Sequence, residues 1–157
     1  MSSPLNLRHA FGRFPTGIAV ITTIDEQGNP YGLTINSFVS VSLEPPVLSW
    51  NVMHNSRAHE VISRAKSFMV HILSSEQQAL SKRMTGPIDQ RFDGVSYRFN
   101  EIGLPVIDGC LAAFVCDLRS MISIGDHDIV LGDIQDYDYQ HGEPLVYWQG
   151  NYGRAVA

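Results

Sequence analysis

The sequence predicts an α+β fold dominated by strands: a closed or nearly closed β-barrel decorated by short helices. Three observations point there. β-Branched apolar runs recur at regular spacing, turn signals rich in Gly, Pro, Asn and Asp separate them, and only three short segments have helical character. With 157 residues, 44% hydrophobic and 17% charged, positions 1–157 read as a single domain able to bury one core.

The elements follow in order. Ser3-Pro4 before LNLRHAFGRF reads as a capped helix start with Pro at the first helical position. GIAVITTID is a strand ended by the turn EQGNP, and YGLTINSFVSVSL reads as one long strand broken by Glu44-Pro45-Pro46. VLSWNV is a further strand. Asn55 and Ser56 can cap a helix through RAHEVISRA, whose apolar stripe is Ala58, Val61, Ile62 and Ala65. SFMVHIL is a short buried strand. Ser74 and Gln77 fit a capping box for a helix that ends at Thr85-Gly86-Pro87. The remainder is mostly β: VSYRF, CLAAFVCDLRSMISI, a turn at Gly125-Asp126-His127-Asp128, IVLGDIQDYDY and PLVYWQGNYG.

Composition removes several function classes. The formal charge is −5 and no basic run occurs, which argues against a nucleic-acid partner. No apolar run reaches the roughly 18 residues a membrane span needs, and MSSPLNLRHAF lacks a secretory h-region. Cys110 and Cys116 are read as buried reduced thiols on one face of a strand, too far apart for a disulfide, which suits a cytoplasmic protein. Phosphate-loop, dinucleotide-fold, metalloprotease, C-x-x-C and nucleophile-elbow motifs are all missing. The six histidines include no pair at spacing three or four, so no metal ligand set is predicted.

What the sequence does offer is small polar residues on strand-like segments. Under strict alternation Thr34, Asn36, Ser40 and Ser42 share one face, and Ile35, Ser37, Val39 and Val41 the other. Such a face is either solvated or lines a pocket for a planar polar ligand. Ser49, Asn51, Asn55, Ser56 and Arg57 lead into a helix N-terminus, which caps itself or accepts a phosphate. Arg91-Phe92 supplies a cation and a ring in a loop, or simply an anchor. His127, between two aspartates at a turn, is either solvent-exposed or functional. Tyr147, Trp148, Gly150 and Tyr152 can stack on a heterocycle or pack the end of the barrel.

In order along the chain, FPTGIAVITT, GLTINSFVSVSLEPPVLS, NSRAHEVI, FMVHILSSEQQALS, RFDGV, GDHDIVLGDI and PLVYWQGNY resemble the short-chain flavin reductase family, the reductase components of two-component flavin-dependent monooxygenases. The resemblance runs from Phe14 to Tyr152. It implies an FMN-binding split barrel and a homodimer with flavin near the subunit interface. It also implies hydride transfer from NADH or NADPH to FMN, or to FAD, and a separate monooxygenase component as partner. By resemblance, Leu33, Thr34, Ile35, Asn36, Ser37, Val39 and Ser40 would edge the isoalloxazine, largely through backbone groups. Ser49 and Asn51 would lie close by. His54, Asn55, Ser56, Arg57, Ala58 and His59 would hold the ribityl chain and phosphate, and Arg91 and Phe92 would close over the flavin. His127, with Tyr147, Trp148, Gln149, Gly150 and Tyr152, would meet the nicotinamide nucleotide. His127 would position it rather than trade protons. His71 and Met84 depart from the family's usual Asn and aromatic residue. Two other readings keep the fold: a ferric or diffusible-acceptor reductase with tightly held flavin, and a non-catalytic FMN-binding protein.

Overall fold

The structure, a computed structural model, describes residues 3–156. Helix α1 (Pro4–Phe11) starts as the sequence predicts, Ser3 Oγ accepting the Asn6 N–H, but Leu5, Leu7 and Phe11 stay exposed. There follow β1 (Thr16–Gly17), β2 (Ala19–Ile24), β3 (Pro30–Ile35), β4 (Val39–Leu43) and β5 (Pro46–Met53). Next are α2 (Arg57–Arg64), β6 (Ser67–Ile72) and α3 (Gln78–Arg83), a 3-10 turn at Ser75–Gln77 carrying the predicted Ser74/Gln77 capping box into α3. The chain continues through β7 (Tyr97–Phe99), β8 (Pro105–Ile107), β9 (Ala112–Ile124), β10 (His127–Tyr139), β11 (Leu145–Trp148) and β12 (Asn151–Arg154). The fold is mostly β with few helices. No helix among the described residues is long and apolar enough to cross a membrane.

Seven strands form one antiparallel sheet in the order β3-β2-β6-β9-β10-β5-β4. β1, β11 and β12 form a second sheet, and β7 pairs with β8. Here the single long strand predicted over YGLTINSFVSVSL is corrected. It is two strands on opposite edges of the large sheet, joined by Asn36-Ser37-Phe38. Four Cα steps reach at most about 14 Å, whereas seven flat strands would hold their outer members roughly 29 Å apart. The sheet must therefore curl until its edges approach. They do not pair, so of the closed or nearly closed barrel predicted from strand spacing the closed form is not observed: β3 bonds only to β2 and β4 only to β5. The shared face assigned to Thr34 and Ser40 disappears with the long strand.

Inside the curl lies the larger of two hydrophobic clusters, built on Ile21, Leu48, Trp50, Ile62, Phe68, Val70, Cys116 and Val130. Trp50 meets Phe68 edge-on at 5.8 Å between centroids. Burying a side chain of this size is worth about 1.5–3 kcal/mol. α2 lays Ala58, Val61 and Ile62 on this core, three of the four stripe residues, while Ala65 caps the helix C-terminus. The second cluster, with Ile18, Val20, Leu73, Met84, Ile107, Cys110 and Leu145, joins the large sheet to the second sheet.

Cys110 and Cys116 both carry free, buried thiols, pushed up to about 11 and about 12 chiefly by desolvation. Their expected place on one strand is corrected, because Cys110 precedes β9 and sits in the second cluster. His71 is fully buried. Its Nδ1 lies 3.2 Å from Val20 O and its Nε2 accepts the Ile107 N–H, so a neutral ring ties β6 to β2 and β8. Burial lowers its pKa to about 4, opposed by the Val20 hydrogen bond.

Candidate functional site

β3 pairs only with β2 and β4 only with β5, so each has one edge that meets no other strand. Asn36-Ser37-Phe38 crosses between them. Ser37 Oγ accepts the Asn51 N–H at 2.9 Å, pinning the crossing to β5. Thr34 Oγ1 donates to Ser81 O at 2.7 Å, and Ser81 Oγ stands 2.9 Å from Tyr152 Oη. The expected residues on β3 and β12 are thus brought together through buried Ser81. Ile35 turns into the core, while Asn36, Val39 and Ser40 remain exposed.

Register decides which side chains share the outer face of β5 and β10. His127 pairs with Met53, Ile129 with Asn51 and Leu131 with Ser49, and directly opposed residues lie on the same face. His127 therefore stands in a row with Asn51 and Ser49. It opens β10 rather than lying inside the turn, and its Nδ1 is 2.7 Å from Asp126 Oδ1. That bond is the main reason the Asp126 carboxyl is held below the usual range. Val39 pairs with Ser49 and extends the same row to β4.

At the end of β5 the chain enters α2. Ser56 is its N-cap, its Oγ accepting the His59 N–H at 3.1 Å and donating to Met53 O at 2.6 Å. Asn55 is exposed, and so is Arg57, whose guanidinium bonds Glu60 on the same helix at 2.7 Å. His54 and His59 turn toward Asp128, on the opposite face of β10 from His127. His54 Nε2 donates to one carboxylate oxygen at 2.5 Å and His59 Nε2 to the other at 2.8 Å. These two bonds, that from His59 first, hold the Asp128 carboxyl below its ordinary range. Strand alternation alone could have found Asp128: if His127 faces out, its neighbour faces in.

Arg91 is held within the fold. Its guanidinium donates to Gly32 O at 2.7 Å and Gly86 O at 2.9 Å and lies 5.6 Å from the Tyr31 ring, while Phe92 packs edge-on against Tyr97. A side chain on Gly32 would meet Met84 Sδ at 2.7 Å and Phe92 at 3.2 Å, so this loop sits hard against β3. Met84 is fully buried, as is His71; neither departure from the family pattern reaches an open surface. The β11–β12 turn is fixed to the N-terminal segment. Gln149 N–H donates to Gly12 O and Trp148 Nε1 to Arg13 O, both at 3.0 Å, and Tyr147 packs edge-on against Tyr152. Gly150 completes the turn with φ +79°, a left-handed conformation that favours glycine.

Comparison with known proteins agrees with this architecture. A family profile described as "Flavin reductase like domain" matches residues 11–155. The chain belongs to that family. Among its relatives is FMN reductase (NADH) SmoA of Agrobacterium fabrum, 39% identical over 149 residues, which cover 95% of this chain and 84% of SmoA. The NADH:FAD oxidoreductase of Streptomyces globisporus, solved in complex with NAD and FAD fragments, superposes with a TM-score of 0.92 at 30% identity, covering 99% of this chain and 96% of that one. Nitrilotriacetate monooxygenase component B from Mycobacterium thermoresistibile superposes equally well, TM-score 0.92 at 32% identity, covering 97% and 86%. β5 links these features: β4 pairs along Pro46–Ser49, the outer row runs from Ser49 to His127 beside Met53, and α2 follows at Arg57.

Proposed function

We propose that this chain oxidises NADH or NADPH and reduces FMN, with FAD as the alternative flavin, and that the reduced flavin serves a separate monooxygenase component. The observation that carries this reading is the pair of unpaired edges joined by Asn36-Ser37-Phe38. A planar heterocycle would lie along Leu33–Ser37 and Val39–Ser40, where the edges meet no other strand, and would be met there by backbone groups without requiring any charged side chain. A split barrel is the natural description of a sheet that curls and stays open.

The residues present suit a flavin mononucleotide. Its phosphate would be held at the first turn of α2, by N–H groups of that turn and by the exposed Arg57 guanidinium, which would leave Glu60 to reach it. The bound isoalloxazine supplies a two-electron acceptor for hydride, and the protein supplies orientation. His127, in the same row as Ser49 and Asn51, orients the nicotinamide against it, and the Asp126 hydrogen bond fixes the imidazole's direction. No proton-transferring group is needed, and apart from His127 the row consists of hydroxyl, amide and apolar side chains. Tyr152, beside Ser81 of α3, and Trp148, beside Arg13, would add aromatic surface for the nucleotide.

The reading extends to a homodimer. Val39, Val41, Met53, Ile122 and Ile124 are large apolar side chains left exposed on the same sheet, and Val39, Met53, Ile122 and Ile124 belong to the row of His127 and Asn51 or border it directly. A second copy covering them would shut the flavin from water. Two buried reduced thiols fit a cytoplasmic setting.

Steady-state oxidation of NADH and of NADPH, with FMN, FAD or riboflavin added in turn, tests the proposal. Turnover that rises with free flavin is expected, greatest with FMN. Flavin binding without oxidation of either nucleotide would favour the non-catalytic binding protein instead.

A further inference from the structure

Two imidazoles and one carboxylate converge at the end of the curled sheet, on the face of β10 turned away from His127. His54 directly follows β5, His59 lies in the first turn of α2, and Asp128 is the second residue of β10. All three present ligand-type atoms within 4.8 Å of one another. The rings meet edge-on at 5.4 Å, and both aim the same nitrogen, Nε2, at Asp128, one at each oxygen. Their backbones are held by neighbouring elements. His54 N–H donates to Asp126 O at 3.0 Å and His59 N–H to Ser56 Oγ at 3.1 Å, so the arrangement is fixed by three separate segments. Ser123 Oγ stands 3.2 Å from His54 Nε2 and offers an oxygen as a fourth ligand. The side chains are 30%, 27% and 11% exposed, so an ion could enter without unfolding the site.

From this geometry we infer that His54, His59 and Asp128 form a binding site for a divalent transition-metal ion of the zinc class. With neutral rings the cluster carries one negative charge. Two imidazole nitrogens with one carboxylate are the donor set of zinc, cobalt or nickel rather than of calcium or magnesium, which take oxygen. Ligands about 2.0–2.1 Å from a tetrahedral ion lie roughly 3.4 Å from each other. The present contacts of 2.5 and 2.8 Å need to open by less than about 1 Å, a side-chain adjustment. On binding, each ring carries its proton on Nδ1 and turns the Nε2 lone pair to the ion, and the fourth position is left to water or Ser123. No redox change is involved. The inference does not depend on flavin reduction, because binding is measured with flavin and nucleotide absent.

The test is binding of Zn²⁺ and Co²⁺ to the whole chelator-treated protein, by competition with a chromophoric chelator and by the visible spectrum of bound Co²⁺. The wild type is expected to take up one equivalent and to give the intense bands of tetrahedral cobalt. His59→Ala and Asp128→Asn are each expected to weaken binding at least about tenfold, whereas His9→Ala and His141→Ala, at exposed positions, leave it unchanged. Imidazole NMR of the wild type does not rely on the variants folding. On adding Zn²⁺ the resonances of His54 and His59 should move and those of His9, His71 and His141 should not. Absence of a stoichiometric site, affinity that survives both ligand substitutions in folded protein, or shifts confined to other histidines would each overturn the inference.

Discussion

At the scale of the residue, the roles proposed for His127 and Arg57 concern different ligands and can be tested apart. His127 points outward in the row that includes Asn51 and Ser49, and its side chain is tied to Asp126. His127→Ala is expected to lower kcat/KM for NADH about tenfold or more, equivalent to roughly 1.4 kcal/mol, while flavin affinity measured by fluorescence quenching stays within twofold or so. Equal kinetics in the variant would remove His127 from the nucleotide site. Arg57 is bonded only to Glu60 on its own exposed helix surface, so its guanidinium can turn to a phosphate at little cost. Arg57→Ala should weaken FMN binding about tenfold and leave riboflavin, which lacks the phosphate, unaffected. Loss of both in equal measure would point to a packing role. These positions were legible in the sequence because capping and turn chemistry are local. The bond between Thr34 and Ser81 and the convergence of two histidines on Asp128 were not, since they join residues 47 and about 70 positions apart in sequence.

At the scale of the element, the GLTINSFVSVSL segment teaches most. Its β-branched and hydroxyl residues predict extended chain correctly, yet nothing in a period of two marks where a chain leaves one sheet edge for another. The break falls at Asn36-Ser37-Phe38, and what fixes it is tertiary: Ser37 accepts from Asn51, and Phe38 stacks on Phe114 at 6.0 Å. Helices α1 and α2 were legible to within a residue or two because Ser3 and Ser56 cap them as their sequences imply.

β10 carries Gly132 where its register against β9 shifts, and a β-carbon there would lie 2.6 Å from Phe68 Cζ and 3.0 Å from Cys116 Cβ. Both neighbours are fully buried, so Gly132→Ala is expected to destabilise the fold by about 1–3 kcal/mol in denaturant melts. An unchanged midpoint would mean the β10 contact is looser than described. β6 contributes the pH response. The His71 ring is ordinarily protonated below about 6.5 in the unfolded chain but only below about 4 in the fold. Above the unfolded value the two states bind equal numbers of protons and stability from this residue is full. As pH falls from 6.5 toward 4 the unfolded chain alone gains a proton and stability drops, on the order of 3 kcal/mol in all, and no further below. His71→Asn should flatten that slope in denaturant melts at pH 7 and pH 5; an equally steep slope in the variant would assign it to other groups.

At the scale of the whole molecule, the open sheet and its exposed apolar row belong to one design. The proposed flavin site lies where a seven-stranded sheet leaves its last two edges unpaired, and the row beside it leaves Val39, Met53, Ile122 and Ile124 exposed. A dimer is therefore expected in sedimentation equilibrium. Ile124→Arg, at an exposed strand end, should shift it toward monomer and reduce flavin affinity together. A monomeric wild type with full activity would contradict the shared-interface reading. Composition and motif order made the family visible across nearly the whole chain, whereas curl, edge and assembly are properties of strand order that alternation does not encode. The most direct test of flavin reduction is anaerobic mixing of protein, FMN and NADH, watched through the flavin's visible absorbance. Rapid bleaching that needs the protein, slows in His127→Ala and reverses on admitting oxygen is the expected result. FMN that binds and stays oxidised with both NADH and NADPH would contradict it.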